Sequence, residues 1–453
     1  MFKKLQYINF KISHVTKYWL KRHFTKTGQF VLITTAIFAL IGINTYQTVA
    51  YKVFSFLFFL LLVSIIFSFF YRLDVSVKRR ISRYATVGEP LRYKIIVTNN
   101  AAKKESGLLI KDNLADPAPT YKEFLEGKVP GDKKRNWLDR LLGYPKWMGL
   151  TAKKITAKNS EVPLPPISPK GEVEKGMEIL PIKRGYLTLT KISIARPDPF
   201  GLFKAFKDFT IHETILVLPR LYPMPTLNLP EGAKYQPGGM KLATSVGESE
   251  EFVSLRDYQF GDSLRRIHWR SWAKVGKPVV KEYQDEYFVR HAIALDTFTN
   301  TDYCEKFEEA VSVTSSIALS YKTQDAILDL MFVGPQIYCF TTGRGLSQTE
   351  KILQILATVQ TCTDKSFEVL KNSIMERVTL LSSCICVFIE WDDERRNLIN
   401  KLVKHNIPLK VFLITDPNAD KKIEKLETQQ LGISPGSFHL LEVGKIAEGL
   451  AKV

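Results

Sequence analysis

The densest cluster of unusual side chains runs from Ser245 to Glu286, SVGESEEFVSLRDYQFGDSLRRIHWRSWAKVGKPVVKEYQDE. Charges of both signs alternate with aromatics there, which fits neither a buried strand nor a low-complexity tail. Two roles suit such a composition. Arg256, Asp257, Asp262, Arg265, Arg266 and Arg270 can form a charge network that locks a linker onto the next domain, with Tyr258 and Trp269 burying area and Gly261 permitting a turn. The same segment can instead be a rigid exposed platform for another protein, because Trp, Tyr and Arg are the usual binding anchors. Exposure of Trp269 or Arg265 would favour the platform.

Signals for catalysis are weak. GISPG, Gly432 to Gly436, matches the G-x-S-x-G nucleophile elbow, but that motif needs a strand before it and a helix after it. Here a helix-like KKIEKLETQQLG precedes and FHLLEV follows, so Ser434 reads as a loop residue. No H-E-x-x-H or P-loop pattern occurs, the seven histidines are scattered, and His268 suits stacking or hydrogen bonding better than catalysis. Cys384 and Cys386 share one face of an expected strand and lack the companion ligands of a zinc site, so they are expected in the core. The expectation is therefore no catalytic residue, no cofactor, no metal site and no small-molecule substrate.

Within the cluster, Glu251, Phe252, Leu255, Arg256, Tyr258, Gly261, Asp262, Arg265, Ile267, Trp269, Ala273 and Lys274 follow the pattern G-x-E-F-x-x-L-R-x-Y-x-x-G-D-x-x-R-x-I-x-W with a trailing Ala-Arg or Ala-Lys pair. That pattern resembles the hallmark of the bacterial family called domain of unknown function 58, although the leading glycine is displaced to Gly247, four before Glu251. KRGYLTL (Lys183 to Leu189), DPFGLF (Asp198 to Phe203) and VLPRL (Val217 to Leu221) are similar to segments preceding the hallmark in that family. Only the basic leader and residues 128–175 stand outside the resemblance.

The hallmark must be held by flanking elements. After Arg290, apolar runs HAIALDTF, AILDLMFV, QIYCFTT, CICVFIEW and LKVFLITD alternate with helical patterns, and FHLLEV and GKIAEGLAKV add a final strand and helix. Such alternation gives a doubly wound α/β sheet, and the resemblance implies a von Willebrand factor A-like domain over 290–453. A-type domains often hold Mg²⁺ through an Asp-x-Ser-x-Ser loop after the first strand. Here that loop reads Asp296, Thr297, Phe298, Thr299, Asn300, with Phe298 in the first Ser position and the hydroxyls out of phase. Asp392, Asp393 and Asp416 stand at other strand ends, where acids commonly cap helices.

The chain has 453 residues, 45% of them hydrophobic, enough for two or three domains, and its five cysteines suit reduced thiols rather than a disulfide framework. Thirteen of the 64 Lys and Arg residues and one of the 46 acids, Asp74, fall within residues 1–83, so +12 of the net +18 charge sits there. A basic segment beside a bilayer accounts for that excess without nucleic acid. Uncharged stretches at 30–43 and 53–71 approach the ~20 residues a helix needs to cross a membrane. They predict a two-helix transmembrane hairpin over 30–71, behind a basic cytosolic leader at 1–29. Basic residues on both flanks then keep both termini in the cytosol.

From 73 to 220, period-two runs such as LRYKIIVTNN, GYLTLTKISIA and ETILVLP, separated by Gly, Pro and Asn turns, predict an immunoglobulin-like β-sandwich. Residues 128–175 interrupt this pattern as an insertion. Trp137, Leu138, Leu141, Leu142, Trp147 and Met148, interleaved with basic residues, form either a short helix on the bilayer interface or one packed against the sandwich. Residues 221–289 are the hallmark linker.

The expected whole is a non-enzymatic, multi-pass protein of the bacterial inner (cytoplasmic) membrane that presents cytosolic domains to protein partners. The resemblance implies a MoxR-type AAA+ ATPase among those partners, in assembly or maturation of other proteins. The alternatives are a metal-dependent (Mg) protein-binding A-type domain and, third, a hydrolase with an unrecognised site.

Overall fold

The computed structural model describes residues 2–42, 48–127, 136, 143–225, 251–262, 264–284, 289–299, 304–320, 326–342, 346–417, 430–433 and 436–452. The chain is a mixed α/β protein that divides into two compact units, Met1–Leu218 and Pro219–Val453.

The first unit opens with α1 (Phe2–His23), α2 (Lys26–Ile41) and α3 (Thr48–Phe69). The basic leader is thus a helix of 22 residues. Of the two expected spans, one has the required length. Among the described residues, only Val49–Phe69 of α3 forms a helix both long and apolar enough to cross a membrane. The 16 residues of α2 rise only ~24 Å, short of a ~30 Å hydrocarbon core.

Two sheets follow, made of β1 (Val75–Arg80), β2 (Tyr84–Thr86), β3 (Leu91–Asn99), β4 (Leu109–Leu114), β5 (Ala157–Asn159), β6 (Val162–Pro163), β7 (Glu172–Pro181), β8 (Gly185–Pro197) and β9 (Lys204–Leu218). One sheet has the order β1-β3-β7-β5 and the other β2-β9-β8-β4-β6. Their inner faces share a core that includes Ile95, Val97 and Ile179 from the first sheet and Ile110, Leu187, Ile194 and Val217 from the second. In β8 the inward side chains switch from Leu187 and Leu189 to Ile192 and Ile194, because a bulge between Leu189 and Lys191 adds a residue and inverts the alternation.

Residues 128–175 contain more of the sandwich than their composition indicates, since β5 pairs with β7 and β6 with β4. Strands of 3 and 2 residues are too short for a period of two to register. The helical part is α4 (Tyr121–Glu126), just before the insertion, and α5 (Tyr144–Lys154) inside it. Trp147 and Leu150 of α5 pack on Phe124 of α4 and on Tyr7 and Phe10 of α1, so this apolar face meets protein, chiefly the leader helix. Trp137, Leu138, Leu141 and Leu142 lie outside the described residues.

The second unit begins with a ribbon of β10 (Glu251–Asp257) and β11 (Val279–Gln284), which pair antiparallel around the short α6 (Trp269–Val275). Then come β12 (Val289–Leu295), α7 (Glu305–Ser320), β13 (Ala326–Val333), β14 (Ile337–Thr342), α8 (Leu346–Thr358), α9 (Glu368–Glu376), β15 (Ser383–Phe388), α10 (Asp393–Lys404), β16 (Leu409–Thr415), β17 (Phe438–Glu442) and α11 (Ile446–Leu450). The six strands have the order β14-β13-β12-β15-β16-β17, all parallel except the edge strand β14.

Helices α7, α8 and α11 cover one face and α9 and α10 the other, which is why the central strands are continuously apolar. Cys384 and Cys386 are fully buried on the second face. Strand order reverses between β12 and β15, the place where doubly wound sheets open a crevice at their carboxyl ends. Asp296 stands there, immediately after β12.

Candidate functional site

Asp296 has no exposed surface, and a buried carboxylate needs a cation or several donors. It receives both. The Phe298 and Ile389 amides donate to it at 3.1 and 3.4 Å. Arg395 of α10 donates from Nε at 3.1 Å and from a terminal nitrogen at 3.0 and 3.2 Å. Arg395 also pairs with Asp392, which caps α10 by accepting from the Arg395 amide at 3.0 Å, and its guanidinium lies 4.4 Å above the Phe367 ring.

The buried acid after β12 is thus neutralised by the chain's own cation. Phe298 packs edge-on against Phe367 at 5.7 Å, and the Thr297 hydroxyl donates to the Val333 carbonyl at 2.5 Å. Asp393 pairs with Arg396 and Asp416 with Lys306. Among the described residues no cluster of three or more His, Cys, Asp or Glu side chains could hold a metal, and Asn300 is outside them.

Burial raises the Asp296 carboxyl to about 6, with Arg395 opposing the shift, whereas burial alone lowers His291 of β12 to about 4. The two act on stability in opposite senses. The Asp296 contribution is complete below the unfolded carboxylate value and is lost as pH rises through 6. The His291 contribution is complete above the unfolded imidazole value and is lost as pH falls toward 4. Replacing His291 with Gln should therefore remove about 2 kcal/mol of pH-dependent stability between pH 7 and pH 5. Thermal unfolding of the full chain in detergent at both pH values checks this; parallel slopes for wild type and H291Q would contradict it.

The hallmark forms a small module of its own. Arg256 grips Asp262 in a two-pronged pair at 2.7 and 2.8 Å, and the Gln259 amide donates to the same carboxylate at 2.8 Å. These donors, Arg256 first, hold the Asp262 carboxyl below the usual carboxylate range. Between them the chain turns at Gly261, whose φ of +107° favours a residue without a side chain. The Tyr258 amide donates to the Pro278 carbonyl and the His268 amide to the Val279 carbonyl, closing the segment onto β11. Ile267 is buried and bridges to Val280. His268 and the Ser271 hydroxyl approach within 2.6 Å, a hydrogen-bonding role.

Of the wide charge network expected from sequence, the Arg256–Asp262 pair forms, with the Arg266 charge also favouring the Asp262 carboxylate, while Asp257, Arg265 and Arg270 are exposed. Trp269 does not bury its ring. It is 63% exposed and stacks on Trp272 at 5.2 Å and 18°. Phe260, Leu264 and Val275 are exposed on the same module. Leu255, Ala273 and Lys274 are also exposed, and Tyr258 is half-buried. Glu251 and Phe252 lie on β10, where they pair in register with Gln284 and Tyr283. Ser434 and Gly247 fall outside the described residues.

In the first unit, DPFGLF forms a third arrangement whose role composition did not reveal. The Asp198 carboxylate accepts from the Phe200, Leu202 and Phe203 amides at 3.0, 2.7 and 2.7 Å, and the buried Ser64 hydroxyl of α3 donates to it at 2.6 Å. Thr25, the cap of α2, donates its hydroxyl to the Gly201 carbonyl at 2.6 Å and its amide to the Leu202 carbonyl at 3.1 Å. A Cβ at Gly28 would stand 2.0 Å from that Leu202 oxygen, so the close approach requires glycine. A serine within an apolar helix was the one sequence signal for this contact.

Comparison with known proteins places the strongest family signal on the hallmark and the start of the α/β sheet. Residues 254–382 match the family model described as Protein of unknown function DUF58. The uncharacterized protein YeaD of Bacillus subtilis (strain 168) is 24% identical over 190 residues, 42% of this chain and 46% of that protein, so the match spans less than half of the relative.

Solved structures similar to parts of the chain include a CARDB domain from Pyrococcus furiosus, at 10% identity over 32% of this chain and 94% of that one with a TM-score of 0.16. A PapD-like domain of human CEP192 follows, at 12% identity over 32% and 86% with a TM-score of 0.18. At such scores the sandwich rests on its own strand pairing and not on these likenesses. From Ser254 to Ser382, the chain is similar to DUF58 proteins.

Proposed function

We propose that the chain as a whole is a DUF58-type membrane protein whose hallmark module is a docking platform for a protein partner, in a non-enzymatic scaffold. One observation carries the reading: Trp269 and Arg265 are exposed on a module whose turn is locked from within by Arg256 and Asp262. Exposed aromatic and arginine side chains on a rigid frame lose little entropy on binding, the condition for a hot spot. The family resemblance suggests a MoxR-type AAA+ ATPase as that partner. The strand order around β12, with β14 antiparallel at the edge, supports the von Willebrand factor A-like reading of residues 290–453. The metal-dependent alternative loses ground because Asp296 and Asp392 already hold Arg395.

A two-helix insertion in the bacterial inner membrane, with both termini cytosolic, draws support from the packing of α2 along α3 and from the basic residues outside both. The companion helix could compensate for the short span of α2, since paired helices tolerate mismatch by locally thinning the bilayer. Affinity purification from native membranes tests the platform. Trp269→Ala and Arg265→Glu should each reduce co-elution of an AAA+ ATPase by about tenfold or more, the loss of a single hot spot, with thermal unfolding unchanged. Undiminished co-elution with both variants would refute the assignment of the platform.

A further inference from the structure

We infer that α1 lies along the bilayer surface, with its second apolar face inserted among anionic lipid headgroups; this rests on the membrane reading of α2 and α3. One face of α1 is accounted for, because Tyr7, Phe10 and His14 pack on Phe124, Tyr144 and Trp147. Another is largely open, although the Trp19 ring at its end also lies 4.9 Å from His23 and 6.3 Å from Phe203. Leu5, Ile8, Ile12, Val15 and Trp19 are between 42% and 62% exposed. Their spacing of three, four, three and four residues aligns them in one stripe along the helix.

The occupant follows from charge and from chain connectivity. Residues 2–23 contain no acid but carry Lys3, Lys4, Lys11, Lys17, Lys21 and Arg22. Lys4 and Lys11 stand one turn before Ile8 and Val15, beside the stripe. A basic helix with an open apolar face matches an anionic interface, where the apolar side chains sink below headgroups that the lysines contact. Only Phe24 and Thr25 separate α1 from α2, whose outward side chains Phe30, Ile33 and Ile37 are apolar and exposed. The water–lipid boundary therefore falls within about a turn of the end of α1, leaving the stripe within reach of the surface. Trp19, nearest that junction, is the residue type that settles at such boundaries.

The test places the photoreactive residue benzoylphenylalanine at Ile12, at Ser13 on a different exposed face, or at Phe59 in α3, in the full chain reconstituted in lipid nanodiscs. With phosphatidylglycerol present, Ile12 should give about tenfold more lipid adducts than Ser13, as an inserted face does over a solvated one, and fewer when phosphatidylcholine is used alone. Phe59 should label lipid in both. Lipid adducts at Phe59 with none above the Ser13 level at Ile12, or adducts from Ile12 to protein, would overturn the inference while sparing the membrane reading. No lipid adducts at either would overturn both. Equal Ile12 labelling in the two lipids would overturn the anionic preference.

Discussion

Replacing Arg395 with Ala should destabilise the α/β sheet by about 3–5 kcal/mol, the cost of leaving a buried charge without its partner. Asp296 would keep only two amide donors, at 3.1 and 3.4 Å, in a site with no water-exposed surface. The loss should shrink at lower pH, because an unpaired Asp296 can take up a proton and cease to be a buried anion. Replacing both members, Asp296→Leu with Arg395→Met, should cost much less than the single change, since no charge is then stranded. Thermal unfolding of the full chain in detergent, with hydrogen exchange of the β12 and β15 amides, reads these differences. In the wild type, EDTA and millimolar Mg²⁺ should leave the transition where it is. A rise of several degrees with Mg²⁺ would restore the metal-dependent alternative.

A comparable loss, about 3–5 kcal/mol, is expected for Arg79→Ala in the sandwich. Arg79 of β1 and Asp112 of β4 belong to opposite sheets, and neither side chain has exposed surface. They meet in two hydrogen bonds, at 2.6 and 2.8 Å, while the Tyr93 hydroxyl donates to the same carboxylate at 2.9 Å. Arg79 also donates to the Ile211 carbonyl at 3.1 Å. Removing it strands Asp112, whose carboxyl burial already raises against the pull of Arg79. Tyr93→Phe, which deletes one donor and leaves the ion pair, should cost only about 1–2 kcal/mol. Hydrogen exchange across β3 and β4 locates the effect. Protection equal to wild type in the Arg79→Ala chain would contradict a structural role for the pair.

The second unit was the most legible part of the sequence. Its strands are buried on both faces, so runs such as CICVFIEW and LKVFLITD stand out whatever their partners, and the intervening helices keep an amphipathic period. The long strands of the sandwich, β3, β8 and the end of β9, were equally plain. Its short edge strands were not. The helix of the leader was less legible, because its apolar residues are spaced among lysines and its period is masked by their charge. The neutralised acid after β12 was visible only as a departure at Phe298, since Arg395 lies 99 residues away. Nothing local marks one arginine of ERRNL as its partner. For the hallmark, sequence supplied the residues and both readings; exposure of Trp269, a property of the folded surface, weighted them.

The turn at Asp198 has a mechanical consequence. Its carboxylate is clamped to Ser64, its carbonyls to Thr25, and its backbone rests against Gly28. The joint between the sandwich and the helices is therefore a weld and not a swivel. Arg22 adds a second tie, to Asp208 and Ser193 of the strands, so a displacement of the β-strands should be carried into the helices at more than one point.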